Sequence, residues 1–317
     1  MKILARFTLI TLALCAASVQ AADYPEKPIR VVVPSTGGTS PDIVARILST
    51  GMSKILNQTI IVDDKPGADG IVAYEFVAKQ NPPDGYTIAL VNIPAMAGLP
   101  ATIKDLRFDP MKDLVPVILA AETQYIFASN NAVPWKTFKE LIAYSKANPG
   151  KLNYGFVGAN LRLLTEAFIQ DQQLNVVNVP YKGGGPYVQA VVVGEVQMGY
   201  IGESSAVGQR QKIVGLAATG PIRRPTFPDV PTFTELGYPQ ITGPAFALSV
   251  PSTVPKAVFD KIYATASRAL KTPEVRESFA KAQFDVLDIG PEGALKRLQD
   301  EARFYTTLAK KAGVEPQ

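Results

Sequence analysis

Histidine is absent from all 317 residues. The commonest general base is therefore missing, and with it Ser-His-Asp and Cys-His catalysis and imidazole metal ligation. Cysteine occurs once, as Cys15, in an apolar N-terminal stretch. Beyond it the chain has no thiol chemistry and cannot form a disulfide. Cys15 is a poor lipid-attachment site, because Leu14 before it is bulky where such sites want a small residue. Excess charge is missing too. Of 32 Lys and Arg, Lys2 and Arg6 fall in the N-terminal stretch, which leaves 30 against 28 Asp and Glu. No basic cluster exceeds a pair, which argues against a nucleic-acid partner. After the first twenty residues no apolar run approaches the ~18 residues needed to cross a bilayer.

The first residues read as a leader. Lys2 and Arg6 make a basic start, an apolar run covers 7–19, and Val19-Gln20-Ala21 offers a small-x-small cleavage site. We expect a secretory signal peptide over 1–21, with Ala22 the first mature residue and the product soluble in the periplasm. The remaining length suits two lobes, and 24 Gly with 26 Pro mark many turns.

Ile29–Val33 is a β-branched run ending at Pro34, a buried-strand pattern. Ser40 is expected to cap a helix that Pro41 opens, with Ile43, Val44, Ile47 and Leu48 at helical spacing. Strands at 59–62 and 86–91 flank a second helix through Phe76 and Val77. This β-α-β-α-β order implies parallel strands with right-handed crossovers. The loops at 35–41 and 92–97 then meet at the switch point, where ligands of open α/β sheets bind. The pattern repeats with strands near 125–128, 152–156, 176–179, 196–201 and 213–217, and helices such as 135–147 and 161–170. Its cleft loops fall at 157–160, 180–185 and 202–205. A strand at 245–249 returns to the first set, and helices follow at 255–270, 273–282 and 291–312. The expected lobes are 22–121 with 246–317, and 122–245, joined by a two-strand hinge.

Gly37 and Gly38 before Asp42 could bring a ligand against a helix N-terminus, which holds anions through free N–H groups. The same residues also make an ordinary strand-to-helix turn. Lys182-Gly183-Gly184-Gly185-Pro186 is a second glycine loop without Walker spacing, equally readable as a turn. Gly202-Glu203-Ser204-Ser205-Ala206 faintly resembles a nucleophile elbow, but no histidine can activate the serine. Asn160 is a candidate cap that would place Arg162 in a first helical turn, where a cation opposes the helix dipole. Arg162 would then pair with a ligand carboxylate or stand as a solvated surface residue. Trp135 and the Val258, Ile262, Ala266 stripe read as core.

Several ordered motifs together carry a resemblance: YPEKPIRVVVP, PDIVAR, DDKPGADG, PPDGYTIAL, FDPMKDLVPV, ANPGKLNYG, VPYKGGGPYVQAVVVGEVQMGY and RRPTFPDVPTFTELGYP. The chain resembles the substrate-binding proteins of tripartite tricarboxylate transporters, the Bug family, over nearly its whole length beyond the leader. The resemblance implies a two-lobed type II periplasmic binding protein fold, each lobe a mainly parallel sheet flanked by helices. It implies a small carboxylate held largely by backbone groups of two opposed loops, partly through ordered water. One loop comprises Ser35, Thr36, Gly37, Gly38, Thr39, Ser40 and Asp42. The other comprises Phe156, Val157, Gly158, Ala159, Asn160 and Arg162. Asn92, Pro94, Ala95, Tyr181, Lys182, Gly202, Glu203 and Ser204 would complete the site.

Two departures stand out. The glycine pair sits one position early, leaving Thr39 where the family often has glycine. The second loop is shorter and lacks the usual Gly-Ser and histidine, with Arg162 near the histidine slot. Phe156 hints at an aromatic or apolar ligand body, and the carboxylate could be single or double. The resemblance further implies membrane transporter subunits as partners; we expect no cofactor, no metal and, with histidine and cysteine missing, no enzymatic turnover, and a monomer, because the transporter must see a single closed face. A sensor subunit docking on a membrane signalling partner would read the same lobe closure. A periplasmic enzyme would have to use Glu203, Asp42 or Tyr181 as acid or base.

Overall fold

A computed structural model describes residues 24–316. The expected leader over 1–21, with Cys15, lies outside the described residues. The chain runs β1 (Ile29–Val33), α1 (Ser40–Leu56), β2 (Ile60–Asp64), α2 (Ile71–Lys79), β3 (Thr87–Asn92), α3 (Ile93–Gly98) and β4 (Leu114–Glu122). It continues with β5 (Tyr125–Asn130), α4 (Phe138–Ala147), β6 (Leu152–Phe156), α5 (Gly158–Asp171), β7 (Val176–Pro180) and α6 (Gly184–Val193). Next come β8 (Gly199–Gly202), α7 (Glu203–Gly208), β9 (Ile213–Ala218), β10 (Ala245–Pro251) and α8 (Lys256–Lys271). The last elements are α9 (Pro273–Lys281), β11 (Asp285–Ile289) and α10 (Pro291–Lys311).

The first sheet has the order β11-β4-β10-β3-β1-β2. β1 lies between β2 and β3, parallel to both, with Ile29 opposite Ile60 and Val31 opposite Ile88. The returning strand β10 inserts antiparallel between β3 and β4. All seven of its residues are buried, as a strand covered on both faces requires. β2 is an edge strand and carries Asp63 and Asp64, charges that discourage pairing with another chain. The second sheet places β5 between β8 and β9, antiparallel to both. β6 and β7 pair in parallel beside it, and a bridge from Tyr154 to Met198 joins them.

α1 buries Val44, Ala45, Leu48 and Met52 against α8, and it ends at Asn57 in the left-handed region. Its cap is Thr39, not the expected Ser40. Asp42 reaches back to accept from the Gly38 N–H at 2.7 Å, closing the turn one residue earlier. The expected cap at Asn160 is also corrected. Gly158 takes φ 78, and α5 begins there after Val157, so Asn160 sits inside the first turn. The helix expected from Pro186 begins at Gly184.

Two apolar cores result. One fills the face of the first sheet under α1 and α8. The other runs from α3 and α10 of the first lobe into β5, α5 and β8 of the second. α5 packs on both α3 and α10, so the lobes share apolar surface behind the cleft. The second lobe is centred on aromatic rings. Phe127 lies 5.2 Å from Phe168 and 4.9 Å from Tyr200, and Phe233 lies 5.7 Å from Tyr200.

Candidate functional site

Between the lobes lies a cavity of about 720 Å³. Its wall is made of helix beginnings. Ser40 and Pro41 open α1, Asn92 and Ala95 flank the start of α3, and Gly158, Asn160 and Leu161 open α5. Gly184 and Gly185 open α6, while Gly202 and Ser205 flank the start of α7. Each of these helices follows a strand of a parallel crossover, so each points its N-terminus at the carboxyl edge of its sheet. The free N–H groups and dipole ends of the longer helices make the cleft attractive to an anion. Among the described residues only two charged side chains line it, Lys182 and Asp69.

The glycine loop after β1 is braced from behind. Ser35 and Thr39 share a hydroxyl hydrogen bond of 2.7 Å, and the Thr39 hydroxyl also stands 2.7 Å from the Thr36 carbonyl. Asp42 pairs with Arg46 at 2.6 Å, and Arg46 reaches Asp64 at 3.4 Å. Burial, then the nearby Asp42 charge, pushes the Asp64 carboxyl above its ordinary value. This network fixes the loop at 35–40 against the start of α1.

The floor is phenolic and carboxamide. Tyr74, Tyr125, Tyr187, Tyr200, Asn92 and Asn160 meet there. Burial pushes the Tyr125 phenol up to about 12 and those of Tyr187 and Tyr200 well above their ordinary value. All therefore remain protonated donors at neutral pH. The side-chain nitrogen of Asn160 and the hydroxyls of Tyr187 and Tyr200 are buried without a hydrogen-bond partner among the described residues. Unpaired buried polar groups are costly, and a polar ligand would satisfy them.

Of the residues expected in the site, the cleft wall holds Ser35, Thr36, Gly37, Gly38, Thr39 and Ser40. It also holds Asn92, Ala95, Val157, Gly158, Asn160, Tyr181, Lys182 and Gly202. Seven others lie off it. Asp42 braces the loop, Pro94 is buried inside α3, and Ala159 is buried on α5. Phe156 packs beside Tyr154, with ring centroids 5.9 Å apart. Arg162 falls in the second turn of α5, beside the Tyr154 phenol, which donates to Glu166 at 2.6 Å. Glu203 and Ser204 turn to the back. Glu203 is fully buried, accepts from Thr226 at 2.5 Å and stands 3.2 Å from Arg224. Arg224 also pairs with Asp285 of the first sheet at 2.7 Å. The Ser204 hydroxyl donates to the Ala282 carbonyl, so both residues tie the lobes together.

The expectations missed the four floor tyrosines and Asp69. The tyrosines sit in strands and helices whose apolar patterns read as core. Asp69 lies in DDKPGADG, which entered only as one of the motifs of the resemblance.

The walls already approach each other. A Cβ on Gly202 would stand 2.9 Å from the Ser40 hydroxyl, and one on Gly184 would stand 3.2 Å from Thr39. Fold and cleft thus define a two-lobed α/β protein of the periplasmic binding class, with a cavity between its lobes. The family model of the tripartite tricarboxylate transporter family receptor matches residues 44–314, and the chain belongs to this family. A UPF0065 protein in the gbd 5′ region of Cupriavidus necator is 36% identical over 95% of this chain and 90% of its own. The periplasmic binding protein BugD superposes with a TM-score of 0.86 at 29% identity, covering 93% of this chain and all of BugD. MatC from Rhodopseudomonas palustris, solved with bound malate, superposes with a TM-score of 0.83 at 27% identity over 90% of this chain and all of its own.

Proposed function

We propose that the chain is a periplasmic receptor that captures a small carboxylate between its lobes and delivers it to the membrane subunits of a tripartite tricarboxylate transporter. The observation that carries this reading is the convergence of helix N-termini from both lobes on one cleft that holds a single lysine. An anion is bound there by backbone N–H groups and dipole ends, without a bidentate arginine. Bound malate in the related MatC supports the carboxylate class.

In this reading 22–121 with 246–317 and 122–245 move as two bodies. The sheet-to-sheet crossings after Glu122 and before Ala245 act as the hinge, where the Thr123 N–H donates to the Pro244 carbonyl at 3.1 Å. A ligand shifts open to closed only by its differential affinity for the two states, and contacts to both walls supply that difference. The receptor works as a monomer and turns nothing over. Delivery to the transporter follows when the membrane subunits dock on the closed pair of lobes.

Thermal unfolding against a panel of mono-, di- and tricarboxylates tests the carboxylate class. At a hundredfold above Kd a true ligand adds about 2.7 kcal/mol, which for a chain of this length raises Tm by about 4 °C. A flat panel on protein unfolded, dialysed and refolded to remove co-purified ligand would sink the carboxylate reading.

A further inference from the structure

Asp69 is the only acidic side chain on the cleft wall among the described residues. It lies in Pro66-Gly67-Ala68-Asp69-Gly70, between β2 and α2, where three successive residues take left-handed backbone: Ala68 at φ 45, Asp69 at φ 56 and Gly70 at φ 90. Alanine is strained there, and such strain persists only where the surroundings over-determine it. Gly70 is wedged under Pro34 and Tyr74, where a Cβ would stand 3.0 Å from the first and 2.8 Å from the second. The turn at 68–70 also packs on α5.

The strained turn aims Asp69 across the cleft. A Cβ built on Gly158 would stand 3.9 Å from Asp69 Oδ1, at the very start of α5. Asp69 is open to water in the cleft but enclosed by both walls. That enclosure pushes its carboxyl up, and the Ala159 N–H opposes the push. Beside it stands Asn160, 2% exposed, with its side-chain nitrogen unpartnered among the described residues. The α5 end of the cleft, which faces the glycine loop, is thus already held by a carboxylate of the chain itself. A second carboxylate on a ligand would meet it as a like charge.

We infer that Asp69 is a specificity determinant: it excludes dicarboxylates and selects a ligand with one carboxylate, seated on the loop at 35–40, and a hydrogen-donating hydroxyl or ammonium at its other end. The inference rests on the carboxylate reading above and narrows it. A hydroxyl suits the pair best, because it donates to Asp69 and accepts from the Asn160 nitrogen. An ammonium donates to Asp69 alone and adds charge attraction.

Calorimetric titration of the ligand-free exported protein with matched four- to eight-carbon series tests it. Each series contains the dicarboxylate, the hydroxy acid, the amino acid and the unsubstituted monocarboxylate. Wild type is expected to bind a hydroxy or amino acid at least about tenfold more tightly than the dicarboxylate of equal length, since like charges in contact are strongly unfavourable. Asp69→Asn and Asp69→Gly should each lose most of that preference and gain about tenfold or more for the dicarboxylate. Unliganded Tm values identify any variant that misfolds, and Asp69→Gly, which relieves the left-handed strain, is the one expected to fold at least as well as wild type. Carboxylate binding with a ranking indifferent to residue 69, or a wild-type preference for dicarboxylates, overturns this inference alone. Binding of no member in any series overturns the carboxylate reading and this inference with it.

Discussion

Asn160 and Arg162 sit two residues apart on α5, and the structure places them differently. Asn160 lines the cleft with a buried side-chain nitrogen that has no partner among the described residues, while Arg162 lies off its wall beside Tyr154. A hydrogen bond to a neutral ligand hydroxyl contributes about 0.5–1.5 kcal/mol, and losing it leaves that hydroxyl unpaired in the closed cleft at a further cost of about 1–3 kcal/mol. Asn160→Ala should therefore weaken carboxylate binding by about tenfold or more, whereas Arg162→Ala should leave the affinity within about twofold. Titration calorimetry on the two variants decides between them, and the reverse result would restore Arg162 as the carboxylate partner. Of the segment expected to face the cleft, Val157, Gly158 and Asn160 line its wall. Assigning Arg162 to the ligand followed from starting the helix at Asn160. With the cap at Val157 and Gly158 at positive φ, the helix begins three residues earlier than expected, which puts Arg162 in its second turn, off the cleft wall.

At the scale of elements, the second lobe depends on rings from separate segments. Phe127 comes from β5, Phe168 from α5, Tyr200 from β8, and Phe233 from the stretch before β10. Phe233 is fully buried and packs against these three rings and against Phe138 and Tyr238. Truncating it leaves a cavity that so many rigid neighbours cannot fill. Phe233→Ala should lower stability by about 3–5 kcal/mol, read as a fall in the urea midpoint at unchanged slope. A loss below about 1 kcal/mol would mean that the cluster repacks freely. The strands and helices themselves were legible: Ile29–Val33 and Leu152–Phe156 match the strands to the residue. Their alternation and run lengths are local properties. The partners of Phe233 were not legible, because they lie tens of residues away.

For the molecule as a whole, the proposed closure would depend on glycines where the lobes meet. Gly202 faces the Ser40 hydroxyl so closely that an added methyl group would have to push the walls apart. Its φ of −57 suits any residue, so Gly202→Ala introduces no backbone strain. The variant should keep an unliganded Tm near that of wild type and lose affinity by about tenfold, because only the closed state carries the clash. Small-angle scattering with saturating ligand should show a larger radius of gyration than the wild-type complex. Wild-type affinity in Gly202→Ala would show that the walls close along another path.

Periodicity and composition by themselves determined the α/β class, the β-α-β-α-β start, the returning strand near 245 and the glycine loop after β1. These depend on nearest neighbours along the chain: which side chains alternate, where glycine and proline interrupt, and where an apolar run stops. The absence of histidine likewise removed whole catalytic classes before any fold was known. Only the tertiary structure decided that β10 inserts between β3 and β4, that Glu203 and Ser204 fasten the lobes from behind, and that four tyrosines line the floor of the cleft. It also decided that Asp69 crosses to the start of α5. Each of those outcomes depends on which face an element presents after packing against partners far away in the chain, and no local pattern encodes that choice.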